Sequence, residues 1–288
     1  MSKIKIVTDS ASDISYKNED LYDIEVLPFT ITLGDEEYVS RRDFDTAEFY
    51  EMLEEAEEIP TTKPLTSFEF GELFGDLFDQ GYTDVIYVSV NSDCSDTYLN
   101  ALQAKDQFFE DIPDAVGAFN IYCIDSKSYS AGYGYAVAEA AKMADRGQDV
   151  KDILRYLRDS ADKNLLCFGL LSQKFARKSE IVQADSALVG GIIGLRPIMQ
   201  VKDKAMETVD RVLGETAVIP AIVEAVTPNM EKGAPYYIIY GNDADLRDEA
   251  AAAMTEAVGY PPADSCQVGA VIACHTGPEV IGVAVKAR

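Results

Sequence analysis

The sequence predicts an α/β protein in two domains: a mostly parallel sheet with its helices over residues 1–160, and a second α/β domain of α+β texture over 161–288. Three observations lead there. β-prone apolar runs at 3–7, 84–90 and 120–126 are each followed by a polar loop and then by helical spacing, the strand–loop–helix repeat of parallel sheets. After about residue 160 the texture changes to short apolar runs in mixed order. The chain has 288 residues, 47% hydrophobic and 26% charged, enough to bury a sizeable folded core.

In order along the chain, Lys-Ile-Lys-Ile-Val (3–7) reads as a buried strand halted by Thr8-Asp9-Ser10. Residues 24–33 read as a strand pair, and 34–40 as a turn and an edge strand. The stretch 45–58 has helical spacing, with Phe49, Met52 and Leu53 on one side and acids on the other. In 66–81, Phe70, Leu73, Phe74, Leu77 and Phe78 follow a 3-4 rhythm, with Ser67 as the expected N-cap and Gly81 as the stop. Helices are expected at 97–109, 129–147, 149–163, 180–191, 216–226 and 244–259. Short apolar runs occupy 165–171, 192–201 and 205–214, a strand is expected at 235–241, and residues 267–287 read as two closing strands. In a parallel sheet ligands bind beyond the carboxyl ends of the strands. That places Thr8-Asp9-Ser10, Ser95-Asp96-Thr97 and Asp125-Ser126 on one edge.

Charge and cysteine content exclude several functions. Acids outnumber bases 50 to 25, a formal charge of −25 that repels nucleic acid and anionic lipid headgroups. The dense run at 51–60 reads as a solvated helix face. Five widely spaced cysteines with no C-x-x-C pair indicate neither a disulfide framework nor a zinc knuckle. No long apolar segment is present at the N-terminus or elsewhere, so a cytoplasmic protein without stable membrane insertion is expected.

Common catalytic motifs are missing. There is no Walker A loop, and Gly-Tyr-Gly-Tyr-Ala-Val (132–137) sits inside a helix, where glycine serves packing rather than a dinucleotide. No cofactor is expected. Asp243 and Asp245 have metal-ligand types, but Asn-Asp ahead of a helix reads as a cap. What remains is a set of loop hydroxyls, Thr61, Thr62, Thr66, Ser67, Ser95 and Ser126, and one imidazole, His275, the only histidine. Singly these are turn or cap residues. Together they form a neutral, donor-rich set suited to a single carboxylate.

Those residues carry a family resemblance. Ile-Val-Thr-Asp-Ser-Ala-Ser-Asp-Ile (6–14), Pro-Thr-Thr-Lys-Pro-Leu-Thr-Ser (60–67), Ser-Asp-Cys-Ser-Asp-Thr-Tyr (92–98), Ile-Asp-Ser-Lys (124–127), Lys-Phe-Ala-Arg-Lys-Ser (174–179), Gly-Leu-Arg-Pro-Ile-Met (194–199) and Ala-Cys-His-Thr-Gly-Pro (273–278) occur in the order of DegV-family motifs. The chain resembles the DegV fatty-acid-binding family across its whole length. The resemblance implies a two-domain DegV-like fold with a ligand tunnel between the domains, one long-chain fatty acid inside it, and a separate fatty acid kinase as partner. It also implies that the carboxylate is held by Thr61, Thr62, Ser95 and His275, with Thr276 and Ser126 as further contacts and Arg177 at the kinase-docking position. The protein itself is then a non-catalytic carrier whose bound acid is converted to an acyl phosphate.

The chain departs from the family pattern at Lys63, Leu65, Asp96 and Ala176. Asp96 places a carboxylate beside the expected anion site. Two other readings use the same residues. One is a serine hydrolase with Ser10, Ser95 or Ser126, His275, and Asp9 or Asp125, although no Gly-x-Ser-x-Gly elbow is present. The other is a regulatory module for a small carboxylate.

Overall fold

The structure, a computed structural model, describes residues 3–172, 175 and 194–288. Strands β1 (Ile4–Asp9), β2 (Glu25–Leu27), β6 (Asp84–Ser89) and β7 (Asn120–Asp125) form one parallel sheet in the order β2-β1-β6-β7. β6 is buried along its whole length and β1 from its second residue on, as expected of strands covered on both faces. Four of the helices pack around it: α3 (Ser67–Asp79), α4 (Thr97–Asp111), α5 (Ala131–Asp145) and α6 (Val150–Asp162). Residues 24–33 do not form a strand pair, because β2 joins the parallel sheet while β3 (Thr30–Leu33) joins a small antiparallel one. That sheet has the order β4-β3-β5, with β4 Glu36–Val39 and β5 Thr61–Lys63.

Asp9 ends β1 fully buried. Its carboxylate accepts from Tyr133 Oη at 2.6 Å, Tyr87 Oη at 2.9 Å, Val90 N at 2.9 Å and Ala11 N at 3.1 Å. Burial still pushes its pKa up against those four donors. It therefore pins β1, β6 and α5 together at the strand ends. Helix α3 is capped by Thr66 rather than Ser67, in a box with Glu69. Helices α1 (Tyr16–Leu21) and α2 (Thr46–Glu55) complete this half.

The second sheet has the order β10-β9-β8-β13-β11-β12. Its strands are β8 (Asn164–Leu170), β9 (Leu195–Lys202), β10 (Ala205–Leu213), β11 (Tyr236–Tyr240), β12 (Asp264–Gln267) and β13 (Val280–Lys286). Neighbours are antiparallel except β11 and β12. Alternation along β8 divides two cores. Leu165 and Cys167 pack toward helices α7 (Val218–Val226) and α8 (Ala244–Val258), while Leu166, Phe168 and Leu170 pack into the core shared with the first sheet. Asp243 caps α8, as its position before the helix indicates.

The end of the chain departs from the expected strand pair. Residues Ala270–Thr276 form helix α9, and only β12 and β13 on either side are strands. A short apolar run such as Ala-Val-Ile-Ala-Cys has no periodicity that separates a buried strand from a buried helix. Here tertiary bonds decide. Gly269 N donates to Asp13 Oδ1 at 3.0 Å and Tyr50 Oη donates to the Val268 carbonyl at 2.5 Å, so the segment docks on the first half of the chain, against α2 and β5. His275 consequently lies on the last turn of a helix.

Candidate carboxylate-binding cavity

A cavity of about 710 Å³ lies between the two sheets. Its interior is apolar: Phe29, Leu166, Phe168, Val271 and Ile272 line it and are buried. Its rim is polar and more exposed, and includes Thr62, Ser92, Asp93, Ser95, Asp96 and His275. Three elements bring that rim together. β5 carries Thr62, the loop after β6 carries residues 91–96, and α9 carries His275.

Local hydrogen bonds hold the donors in place. His275 Nε2 and Thr62 Oγ1 are 3.2 Å apart. With the proton on Nε2 the ring donates to Thr62, leaving the threonine hydrogen for a ligand oxygen. Across the rim, Thr97 Oγ1 accepts from Leu65 N at 3.2 Å and lies 2.8 Å from Ser95 Oγ, which also accepts from Thr97 N at 3.3 Å. When Thr97 donates to Ser95, both Ser95 lone pairs are used and its proton is free to point outward. Asn100 Nδ2 donates to the Leu65 carbonyl at 2.7 Å and ties the two loops together.

The other expected residues fall elsewhere. Thr61 is exposed and sits on the opposite face of β5 from Thr62, as the two-residue period of a strand requires. Lys63 shares that face and pairs with Glu37. Thr276 lines the cavity but is buried, and its hydroxyl donates to backbone carbonyls of Ile272 at 3.2 Å or Gly277 at 3.0 Å. Ser126 is off the cavity wall, its hydroxyl held in a turn with the backbone of Ser128. Arg177 and the expected helix at 180–191 lie outside the described residues. Asp96 begins α4 without making a side-chain cap and is exposed at the rim.

Several residues of the hydrolase reading have other hydrogen-bond partners. Ser10 Oγ pairs with Ser40 Oγ at 2.8 Å and accepts from Phe29 N, Asp9 is enclosed by its four donors, and Ser95 is bonded to Thr97. Asp125 pairs with Lys204 at 2.7 Å. Burial works to raise its pKa, but Lys204, Ser92 and the Lys127 N–H together hold it below the usual carboxylate value. Among the described residues no His, Cys, Asp and Glu group has the arrangement of a metal site, and no helix is long and apolar enough to cross a membrane.

Sequence reasoning missed Asn91, Tyr129 and Lys204. Asn91 is fully buried and its amide donates to Tyr129 Oη at 3.1 Å and to the Lys204 carbonyl at 2.8 Å. Only Lys204 left a trace in the sequence: Lys-Asp-Lys-Ala (202–205) puts a lysine in a tight turn between two apolar runs, where glycine is usual.

The family model described as "Uncharacterised protein, DegV family" matches residues 3–288. The chain belongs to the DegV family. A DegV domain-containing protein of Caldanaerobacter subterraneus subsp. tengcongensis is 29% identical over 291 residues, covering 98% of each chain. Among solved structures, DegV of Bacillus subtilis, described as a fatty acid binding protein, superimposes with a TM-score of 0.83 at 21% identity, over 100% of both chains. A stearic-acid-binding protein of Eubacterium ventriosum gives a TM-score of 0.85 at 21% identity, covering 100% of this chain and 98% of that one. The mixed α/β architecture, a parallel sheet with further sheets beside it, is therefore the DegV fold.

Proposed function

We propose that the protein holds one long-chain fatty acid in this cavity, with its carboxylate at the rim between Thr62, Ser95 and His275 and its acyl chain among the apolar residues. The observation that carries the proposal is the division of the cavity wall into buried apolar residues and a more exposed polar rim, which includes the neutral hydrogen-bonding groups Thr62, Ser95 and His275. Fatty acids bound by structural neighbours of the same fold support it. Burying about 14 methylenes contributes on the order of 11 kcal/mol before ordering costs, so no cationic clamp is required for tight binding.

Uncharged donors orient a carboxylate while leaving one oxygen nucleophilic, which a bidentate arginine does less well. The protein thus acts without chemistry of its own, presenting the acid in the cytoplasm to a separate fatty acid kinase that forms the acyl phosphate. Arg177 is the proposed docking contact.

Losing one hydrogen bond to a charged oxygen costs about 1.5–3 kcal/mol, or roughly a tenfold to hundredfold loss in affinity. Thr62→Val and Ser95→Ala are each expected to weaken stearic acid binding by that order and to slow kinase-dependent turnover, and His275→Ala, which removes the donor that orients the Thr62 hydroxyl, is expected to weaken it as well. Thr61→Val and Ser126→Ala, whose hydroxyls lie off the cavity, should change binding less than about twofold. Unaltered binding in the first three variants would show that the head group sits elsewhere.

A further inference from the structure

The β9–β10 hairpin turns on two residues, Asp203 and Lys204, with φ of 48° and 72°. Such turns favour Asn-Gly or Asp-Gly, because the second position is left-handed and disfavours a side chain. A lysine held there implies that its side chain has a use. It reaches across to the parallel sheet. Lys204 Nζ lies 2.7 Å from Asp125 Oδ2, 2.6 Å from Ser92 Oγ and 3.6 Å from Asp93 Oδ1. Its own carbonyl accepts from the buried Asn91 amide at 2.8 Å. Ser92 in turn donates to Asp125 at 2.6 Å, closing a compact network whose carboxylate side chain is only 10% exposed. Two residues further on, Met206 forms part of the cavity wall.

Every one of these contacts falls on the 91–96 loop or on the strand end beside it. The loop supplies Ser95, and it also carries Asp93 and Asp96, whose charges oppose an incoming carboxylate. We propose that Lys204 is a positioning residue for the head-group end of the cavity: from the opposite sheet it fixes the loop that presents Ser95, and its one positive charge, paired with Asp125 and close to Asp93, offsets part of the negative charge there so that an anion is accepted. This deepens the fatty-acid reading and rests on it. The lowered pKa of Asp125 and the raised pKa of Lys204 agree with the pairing, the latter led by the Asp125 hydrogen bond.

Lys204→Gly gives the test, because glycine suits the turn and removes only the side chain. Binding of stearic acid and of 1-octadecanol to the full-length protein should be compared by native mass spectrometry. Loss of the ammonium is expected to weaken the acid by at least about fivefold and the alcohol by less than about twofold, since only the acid feels the uncompensated carboxylates. Lys204→Arg, which keeps the charge, should recover most of the acid binding. Equal losses for acid and alcohol would mean that Lys204 merely holds the hairpin, and no loss in either would mean that it holds nothing relevant; both overturn the proposal. A wild-type protein that binds neither lipid overturns the fatty-acid reading and this one with it.

Discussion

Gly277 closes helix α9 two residues after His275, at φ 78° and ψ 177°. That region of backbone space is open essentially to glycine alone, and a side chain there costs about 1–3 kcal/mol. A Cβ at this position would also stand 2.5 Å from Cδ2 and 2.7 Å from Cγ of the buried Phe175 ring. Relieving such overpacking typically costs a further ~1–3 kcal/mol. Gly277→Ala is therefore expected to destabilise the protein by about 2–6 kcal/mol. Gly259, the left-handed cap of α8 at φ 87°, has open space around its Cβ position, so Gly259→Ala isolates the backbone cost at about 1–2 kcal/mol. Urea unfolding of both variants at constant slope gives the comparison. Gly277→Ala should also weaken lipid binding, because relief of the clash displaces the turn that carries His275, whereas Gly259→Ala should not. Equal destabilisation by the two variants, with lipid affinity unchanged in both, would refute the claim that this turn sets the imidazole.

Burial lifts Asp13 to a pKa of about 7, against the Ser130 hydroxyl, the Gly269 N–H and Arg41, all of which favour its charged form. Because the folded pKa is raised, the contribution to stability is fully present below the unfolded value of 3.8 and is lost as pH rises through 7, up to about 4 kcal/mol. Asp13→Asn should flatten urea-unfolding stability between pH 4 and 8 relative to wild type, and a wild-type-minus-variant difference independent of pH would contradict this. Tyr133→Phe removes one of the four donors to the buried Asp9 carboxylate and should cost about 1.5–3 kcal/mol, read as a lower melting temperature; a change under about 0.5 kcal/mol would mean the bond is not needed.

Three of the four strands of the parallel sheet were legible because each announces itself twice, by a β-branched run and by the polar loop and helix that follow. Lys-Ile-Lys-Ile-Val, Asp-Val-Ile-Tyr-Val-Ser-Val and Asn-Ile-Tyr-Cys-Ile-Asp became β1, β6 and β7. The final helix was not legible, since its conformation is fixed by Asp13 and Tyr50, more than 200 residues earlier in the chain. The same limit applies to the site. Residue type offered Thr61, Thr62, Thr66, Ser67, Ser95, Ser126 and His275 alike and the family resemblance narrowed them to Thr61, Thr62, Ser95 and His275, while a strand's alternation separates Thr62 from Thr61 only once β5 is known to be a strand. Lys204 reaches Asp125 only through the docking of one sheet on the other, which no local pattern encodes.

Native mass spectrometry of the purified protein, followed by solvent extraction and analysis of the released lipid, tests the central claim most directly. The account predicts one long-chain fatty acid per chain, lost or reduced when Thr62, Ser95 or His275 is replaced. Protein that carries no lipid, and that fails to take up stearic acid when it is supplied, would contradict it.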